Sequence, residues 1–271
     1  MILDDILTQK RKDLDELKLR LPLSRLQKIA EARTTYIRRN FKNAIQNPKK
    51  INIIAELKKA SPSEGVLRED FQPMRLGEIY EISGAAALSV LTESHFFMGR
   101  TSYLKTVRQV TSIPLLRKDF IFERYQIYET AILEADAFLL ISSLLTEEEL
   151  REFIKIGRGL GMDALVEVHS DEDLYKALAA GAEIIGINNR NLRTLAVNPL
   201  NSERLIPHIP AGKVIVVESG LKTHDEIMRY KSLGANSFLI GTTFMKSPDI
   251  AQTFHQLLGK HSATLIEGTH G

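Results

Sequence analysis

Short apolar runs and longer amphipathic stretches take turns along most of this chain. From residue 51 onward, β-rich runs occupy 51–57, 86–91, 114–116, 137–141, 164–168, 184–187, 214–217 and 237–240. Between them lie segments of helical composition such as 146–160 (TEEELREFIKIGRGL) and 170–180 (SDEDLYKALAA). The second opens Ser170-Asp171-Glu172-Asp173, a capping-box pattern whose acidic first turn complements the helix dipole, and Gly181 stops it. Strands alternating with helices predict a parallel sheet. A count of eight predicts closure into a (β/α)8, or TIM, barrel rather than an open doubly wound sheet. No Gly-x-Gly-x-x-Gly follows the first run, which argues against a dinucleotide-binding fold.

The first fifty residues have a different texture. Ile2, Ile6, Leu14, Leu17 and Leu21 recur at helical spacing, Pro22 interrupts, and a second helical stretch carries Leu26, Ile29 and Ala30. This segment holds 13 Lys and Arg against 6 Asp and Glu, whereas residues 51–271 hold 23 against 28. Acids interleave with the bases and no nucleic-acid-binding motif is present, so the segment is expected to offer solvated helix faces and to bind no nucleic acid. The expected organisation is a helical extension over 1–50 that packs across the barrel mouth and a barrel over 51–271, together one domain.

Composition adds exclusions. Hydrophobic residues make up 44% and charged residues 26%, which fits a globular chain rather than a disordered one. Cysteine is absent, which removes disulfides, thiolate metal sites, iron–sulfur clusters and a cysteine nucleophile. No apolar run reaches the roughly 18–20 residues that span a bilayer, so no membrane partner is expected. The opening MILDDILTQKRKDLDE lacks a signal-peptide core, and a cytoplasmic location is the expectation. A net charge of +2 on 271 residues is compatible with a monomer or weak homo-oligomer.

The chemistry lies where polar groups interrupt the strands. Side chains alternate along a strand, and the carboxyl ends of barrel strands carry the active site. Glu56 and Lys58 share parity at the first run and both project into the mouth. The third ends Arg117-Lys118-Asp119, the fifth contains Glu167, the sixth runs into Asn188-Asn189-Arg190, and the seventh ends Glu218-Ser219-Gly220. Three carboxylates, two or three cations and an amide thus converge from five strands, in a place where a lone buried charge costs several kcal/mol unless paired. Two lysines close together in a partly dry cleft are expected to lower each other's proton affinity, leaving one a usable acid near neutral pH. The seven histidines are scattered, so no metal is expected; His95 and His169 are taken as loop residues without an orienting acid.

A second group suits an anion. Ser219-Gly220 follows the seventh run and Gly241-Thr242-Thr243 the eighth, the loops that commonly hold phosphate in such barrels, and Ser61 adds a hydroxyl after the first. Phe96 or Phe97, with Leu139, Leu192 and Leu239, can supply an apolar wall; Phe120 is as well suited to the core.

Taken together, the stretches 54–63 (IAELKKASPS), 91–93 (LTE) with Phe96 to Gly99, 115–121 (LLRKDFI), 165–168 (LVEV), 185–192 (IGINNRNL), 217–221 (VESGL) and 239–243 (LIGTT) resemble the indole-3-glycerol-phosphate synthase family. Glu-x-Lys-x-x-Ser-Pro-Ser and Arg-Lys-Asp-Phe are the specific motifs. Glu64 departs from the basic residue common before the glycine, and Thr242 and Thr243 stand where serine is common. The length fits the monofunctional form.

The resemblance implies a cofactor-independent enzyme of tryptophan biosynthesis. Its sugar-phosphate substrate is 1-(2-carboxyphenylamino)-1-deoxyribulose 5-phosphate, and its products are indole-3-glycerol phosphate, CO2 and water. It implies Lys118 as general acid for ring closure, Lys58 as carboxylate ligand and proton donor in dehydration, and Glu167 in proton transfer. Glu56 and Glu218 orient the amines, Asn188 hydrogen-bonds the substrate, and Arg190 holds the network. Phosphate lies against Ser61, Ser219, Gly220, Gly241 and Thr242, and Phe96 is placed at the aromatic ring. Which lysine carries which proton step stays open. A phosphoribosyl isomerase-type barrel is the nearest rival, but it leaves the lysine pair unexplained; a catalytically silent anion-binding barrel leaves the whole charged set unexplained.

Overall fold

The structure is a computed structural model and describes residues 2–33 and 36–260. Eight parallel strands close into a barrel: β1 (Asn52–Leu57), β2 (Ala87–Leu91), β3 (Leu115–Lys118), β4 (Ala137–Ile141), β5 (Asp163–Val168), β6 (Ile184–Asn188), β7 (Val214–Glu218) and β8 (Ser237–Ile240). They neighbour one another in chain order, and β8 pairs with β1. Both faces of each strand are covered, which is why the runs are apolar almost throughout. One parity, including Ile54, Leu116, Leu139, Leu165, Val214, Val216 and Leu239, fills the barrel interior. The other, including Ile53, Leu115, Leu140, Val166, Ile215, Val217 and Phe238, packs beneath the surrounding helices.

The helices are α1 (Ile2–Arg20), α2 (Leu23–Ala32), α3 (Phe41–Ile45), α4 (Pro73–Ser83), α5 (Ser102–Arg108), α6 (Arg124–Ile132), α7 (Glu147–Gly159), α8 (Asp171–Ala179), α9 (Leu200–Leu205), α10 (His224–Ser232), α11 (Thr242–Met245) and α12 (Ile250–Leu257). The N-terminus of α7 carries a complete capping box between Thr146 and Glu149. That of α8 is only half of the expected box. Ser170 Oγ accepts from the Asp173 amide at 3.1 Å, but the Asp173 carboxylate takes the His169 amide instead of that of Ser170. Between β1 and α4 the chain also forms a two-stranded ribbon, Ala60–Ser61 against Gly65–Val66, too short for its pattern to stand out in the sequence.

The N-terminal extension distributes itself around the barrel. Ile2, Leu3 and Ile6 of α1 reach the carboxyl ends of the strands and line the cavity there. Pro22 caps α2, which packs along α6. Arg38 then donates to the Leu160 carbonyl at 2.7 Å and the Ala131 carbonyl at 3.2 Å, stapling the segment to the barrel wall. At the opposite end, the α3 residues Phe41 and Ile45 are fully buried, and the Lys42 amide donates to Asp163 at the start of β5. Among the described residues of this extension, α1 lies at the mouth and α3 closes the amino-terminal end.

Candidate active site

Lys118, the last residue of β3, points inward. Its Nζ lies 2.9 Å from Glu167 Oε2 on β5 and 2.5 Å from Glu218 Oε2 on β7. Asn188, at the end of β6, donates from Nδ2 to Glu167 Oε1 at 3.1 Å and accepts the Arg190 amide on Oδ1 at 2.9 Å. Across the mouth, Lys58 Nζ sits 3.0 Å from Glu56 Oε1. Glu218 and Glu56 need room inside a narrow barrel, and a glycine on the adjacent strand or just beyond its end provides it. A Cβ at Gly186 would collide with Glu218 Oε1, and one at Gly241 with Glu56 Oε1. Gly241, expected only at the phosphate, therefore also makes space for Glu56.

The electrostatics correct one expectation. Burial opposes the charged form of Lys118, but Glu167 and Glu218, with Glu56 behind them, outweigh it and hold the amine above its ordinary range. Carboxylates rather than a second lysine surround it, so mutual lysine repulsion does not set its acidity. The two glutamates diverge. Burial pushes Glu218 up to about 8, with the Glu167 charge adding, and its Oε1 has no hydrogen-bond partner among the described residues. Glu167 is held down at about 2: burial raises it, but Lys118, then His169 and the Asn188 hydrogen bond, overcome that. Two carboxyl groups sharing one lysine are thus shifted in opposite directions.

One cavity gathers most of the expected site. Glu56, Lys58, Ser61, Lys118, Glu167, Asn188, Arg190, Glu218, Ser219, Gly220, Gly241 and Thr242 all line it. Its apolar wall includes Phe97, Phe120, Leu139, Leu192 and Leu239; both Phe96 and Phe97 pack against the interior cluster, but Phe97 rather than Phe96 lines the cavity. Ser219 holds φ +67 although it is not a glycine, a strain typical of functional turns. Arg190 is steadied by the Leu195 carbonyl at 2.9 Å and Ser63 at 3.2 Å. Glu64, the departure noted in the sequence, bridges Lys246 and Arg190, so its charge straps the loop after β1 to its neighbours. Arg117 belongs elsewhere. It has the opposite parity and is buried against α6, donating to Thr130 Oγ1 at 3.0 Å and pairing with Glu129 at 2.7 Å.

Other groups were not legible from strand ends alone. His169 Nε2 comes within 3.3 Å of Glu167 Oε1, though without hydrogen-bond geometry, and His95 Nε2 is 3.1 Å from Asp13 of α1. Both histidines lie in loops, as expected, but each has an acid beside it, where none was expected; the parity shared by residues 167 and 169 is the available signal for one. Lys10 of α1 is buried against Asp119 at 2.7 Å, and Thr92 Oγ1 donates to the same carboxylate at 2.6 Å. Nothing in the amphipathic pattern of α1 marks a buried lysine.

Fold and cluster together define the class: a (β/α)8-barrel enzyme with paired lysines and glutamates gathered at the carboxyl ends of its strands. The family model described as indole-3-glycerol phosphate synthase matches residues 3–257. Proteins of that name from Carboxydothermus hydrogenoformans and Campylobacter jejuni (strain RM1221) are 47% identical over 263 residues and 46% over 258. Each alignment covers 95% of this chain and 100% of the relative. The chain belongs to the indole-3-glycerol phosphate synthase family. Among solved structures, KGPDC from Streptococcus mutans shares the fold at TM-score 0.59 and 13% identity, covering 78% of this chain and 98% of that one. A tryptophan synthase α-subunit from Pyrococcus furiosus does so at TM-score 0.59 and 14% identity, covering 79% and 99%.

Proposed function

We propose that this chain closes the indole ring of 1-(2-carboxyphenylamino)-1-deoxyribulose 5-phosphate, with Lys118 as the acid that starts the reaction. The ring carbon bearing the carboxylate attacks the ribulose C2 carbonyl, and Lys118 protonates the oxygen on which charge develops. An alkoxide is far more basic than a carboxylate, so an amine held strongly protonated is still a competent donor to it, and its positive charge stabilises the transition state. The C–CO2 bond then breaks, and its electron pair restores the aromatic ring. Glu167, ionised beside Lys118, is the base that takes the proton released as the five-membered ring becomes an indole. The C2 hydroxyl leaves as water after protonation by Lys58. Counted from the carboxylate form of the substrate, one proton is consumed per turnover and CO2, water and indole-3-glycerol phosphate are produced.

Lys58 receives the substrate carboxylate, and Ser61, Arg190, Ser219, Gly220, Gly241 and Thr242 surround the phosphate. Phe97, Phe120 and the leucines enclose the aromatic ring, and α1 covers the mouth. Support rests chiefly on one observation: an inward lysine within 2.9 Å of Glu167 and 2.5 Å of Glu218, all three lining one cavity with a largely apolar wall. Incubation of the protein with the carboxyphenylamino sugar phosphate, without nucleotide or added metal, is expected to generate indole fluorescence and one CO2 per fluorophore. Consumption of substrate without CO2, or no reaction at all, would contradict the assignment.

A further inference from the structure

Glu93 lies two residues beyond β2, is 1% exposed, and does not line the cavity. Its Oε1 accepts the His95 amide at 2.9 Å, and its Oε2 accepts the Phe96 amide at 2.7 Å and the Phe97 amide at 2.9 Å. Among the described residues no cationic side chain pairs with it. A buried carboxylate compensated only by consecutive amides of one turn holds that turn in a single shape, because any other shape strips the charge of its partners. The loop is fixed in other ways too. Met98 sits at φ +53 without being a glycine, and the Gly99 amide donates to the Glu93 carbonyl at 2.7 Å. A Cβ at Gly99 would lie 2.5 Å from the Leu91 carbonyl oxygen. Such over-determined strain needs a purpose.

The loop delivers the Phe97 ring into the cavity, 6.1 Å from Phe120, and the Phe97 carbonyl accepts from Ala60, next to Ser61. We propose that Glu93 is a positioning residue of the ring-binding wall: its carboxylate gathers the amides of 95–97 and thereby sets Phe97 against the aromatic half of the substrate. This rests on the activity proposed above and deepens it. Glu93 touches no reacting atom; it acts through Phe97.

The test is a double-mutant cycle with Glu93→Gln and Phe97→Leu, read by kinetics and by binding of 2-aminobenzoate. The amide keeps the size of the side chain but turns a donor toward at least one of the three N–H groups. Glu93→Gln is expected to raise KM about tenfold with kcat held within about threefold, the scale of losing one well-placed aromatic contact. The affinity for 2-aminobenzoate should fall in proportion, and the double variant should be no worse than Phe97→Leu alone. An unchanged KM in folded Glu93→Gln, or effects that simply add, overturns the clamp. So does a wild type without affinity for 2-aminobenzoate. A wild type that binds 2-aminobenzoate yet does not turn over the sugar phosphate sinks the activity assignment alone, and the binding arm of the cycle still decides the clamp. If Glu93→Gln does not fold, Glu93→Asp, which withdraws the charge by one methylene, must show the same split.

Discussion

At the scale of single residues, identical side chains in this site acquire different proton affinities from their surroundings. Glu167 has Lys118, an amide and a histidine around it; Glu218 has Lys118 on one oxygen and, among the described residues, no hydrogen-bond partner on the other. Burial therefore wins for Glu218 and loses for Glu167. The difference has a measurable sign. A carboxyl raised from its ordinary 4.5 to about 8 stabilises the fold fully below 4.5, and that contribution drains away as pH climbs through about 8. Glu218→Gln has no such proton to lose. The melting temperature of the wild type minus that of Glu218→Gln should consequently fall between pH 5 and pH 8 in thermal unfolding. A difference that stays flat, or rises, would show that Glu218 is ionised at neutral pH.

Elements place these residues, and their sequences explain part of how. Strand parity was readable: Glu56 with Lys58, and the inward Lys118, Glu167 and Glu218, all lie where alternation puts them. The same rule, applied one residue back, sends Arg117 outward to α6. What alternation could not reveal was the partner from a distant element, such as Lys10 on α1 docking onto Asp119. Burial raises the Asp119 carboxyl, but Lys10 and Arg117 overcome it and hold it at about 2. The stability it supplies is full above its ordinary 3.8 and is lost as pH falls through about 2. Lys10→Met should cost about 3 kcal/mol, the low end for breaking a buried pair because Arg117 and Thr92 remain. In thermal scans that deficit should narrow below pH 4. Since α1 also lines the cavity, KM should rise more than kcat falls. A variant with full stability and unchanged KM would mean that α1 docks without this latch.

At the scale of the whole molecule, the fold was the most legible property, since eight apolar runs at regular spacing leave a parallel sheet few ways to bury both faces. The end of the barrel that carries the candidate site followed from the same pattern, because inside the apolar runs Glu56 and Glu167 replace Val, Ile and Leu towards the carboxyl ends. Less legible were features built from shape. The space that Gly186 and Gly241 clear for two carboxylates is one, the choice of Phe97 over Phe96 another, and the division of the N-terminal extension between the two ends of the barrel a third. Each depends on which distant atoms meet, and a single strand or helix pattern carries no record of that.

The central claim, that Lys118 performs the chemistry from between two glutamates, is tested most directly by steady-state turnover of the carboxyphenylamino sugar phosphate by Lys118→Met. Methionine keeps the length of the side chain and removes its proton and charge. The expected result is a fold indistinguishable from wild type by circular dichroism, with kcat lowered about 10²–10⁴-fold and KM within a few-fold, as for loss of a general acid. A folded Lys118→Met enzyme that closes the ring at the wild-type rate would contradict it.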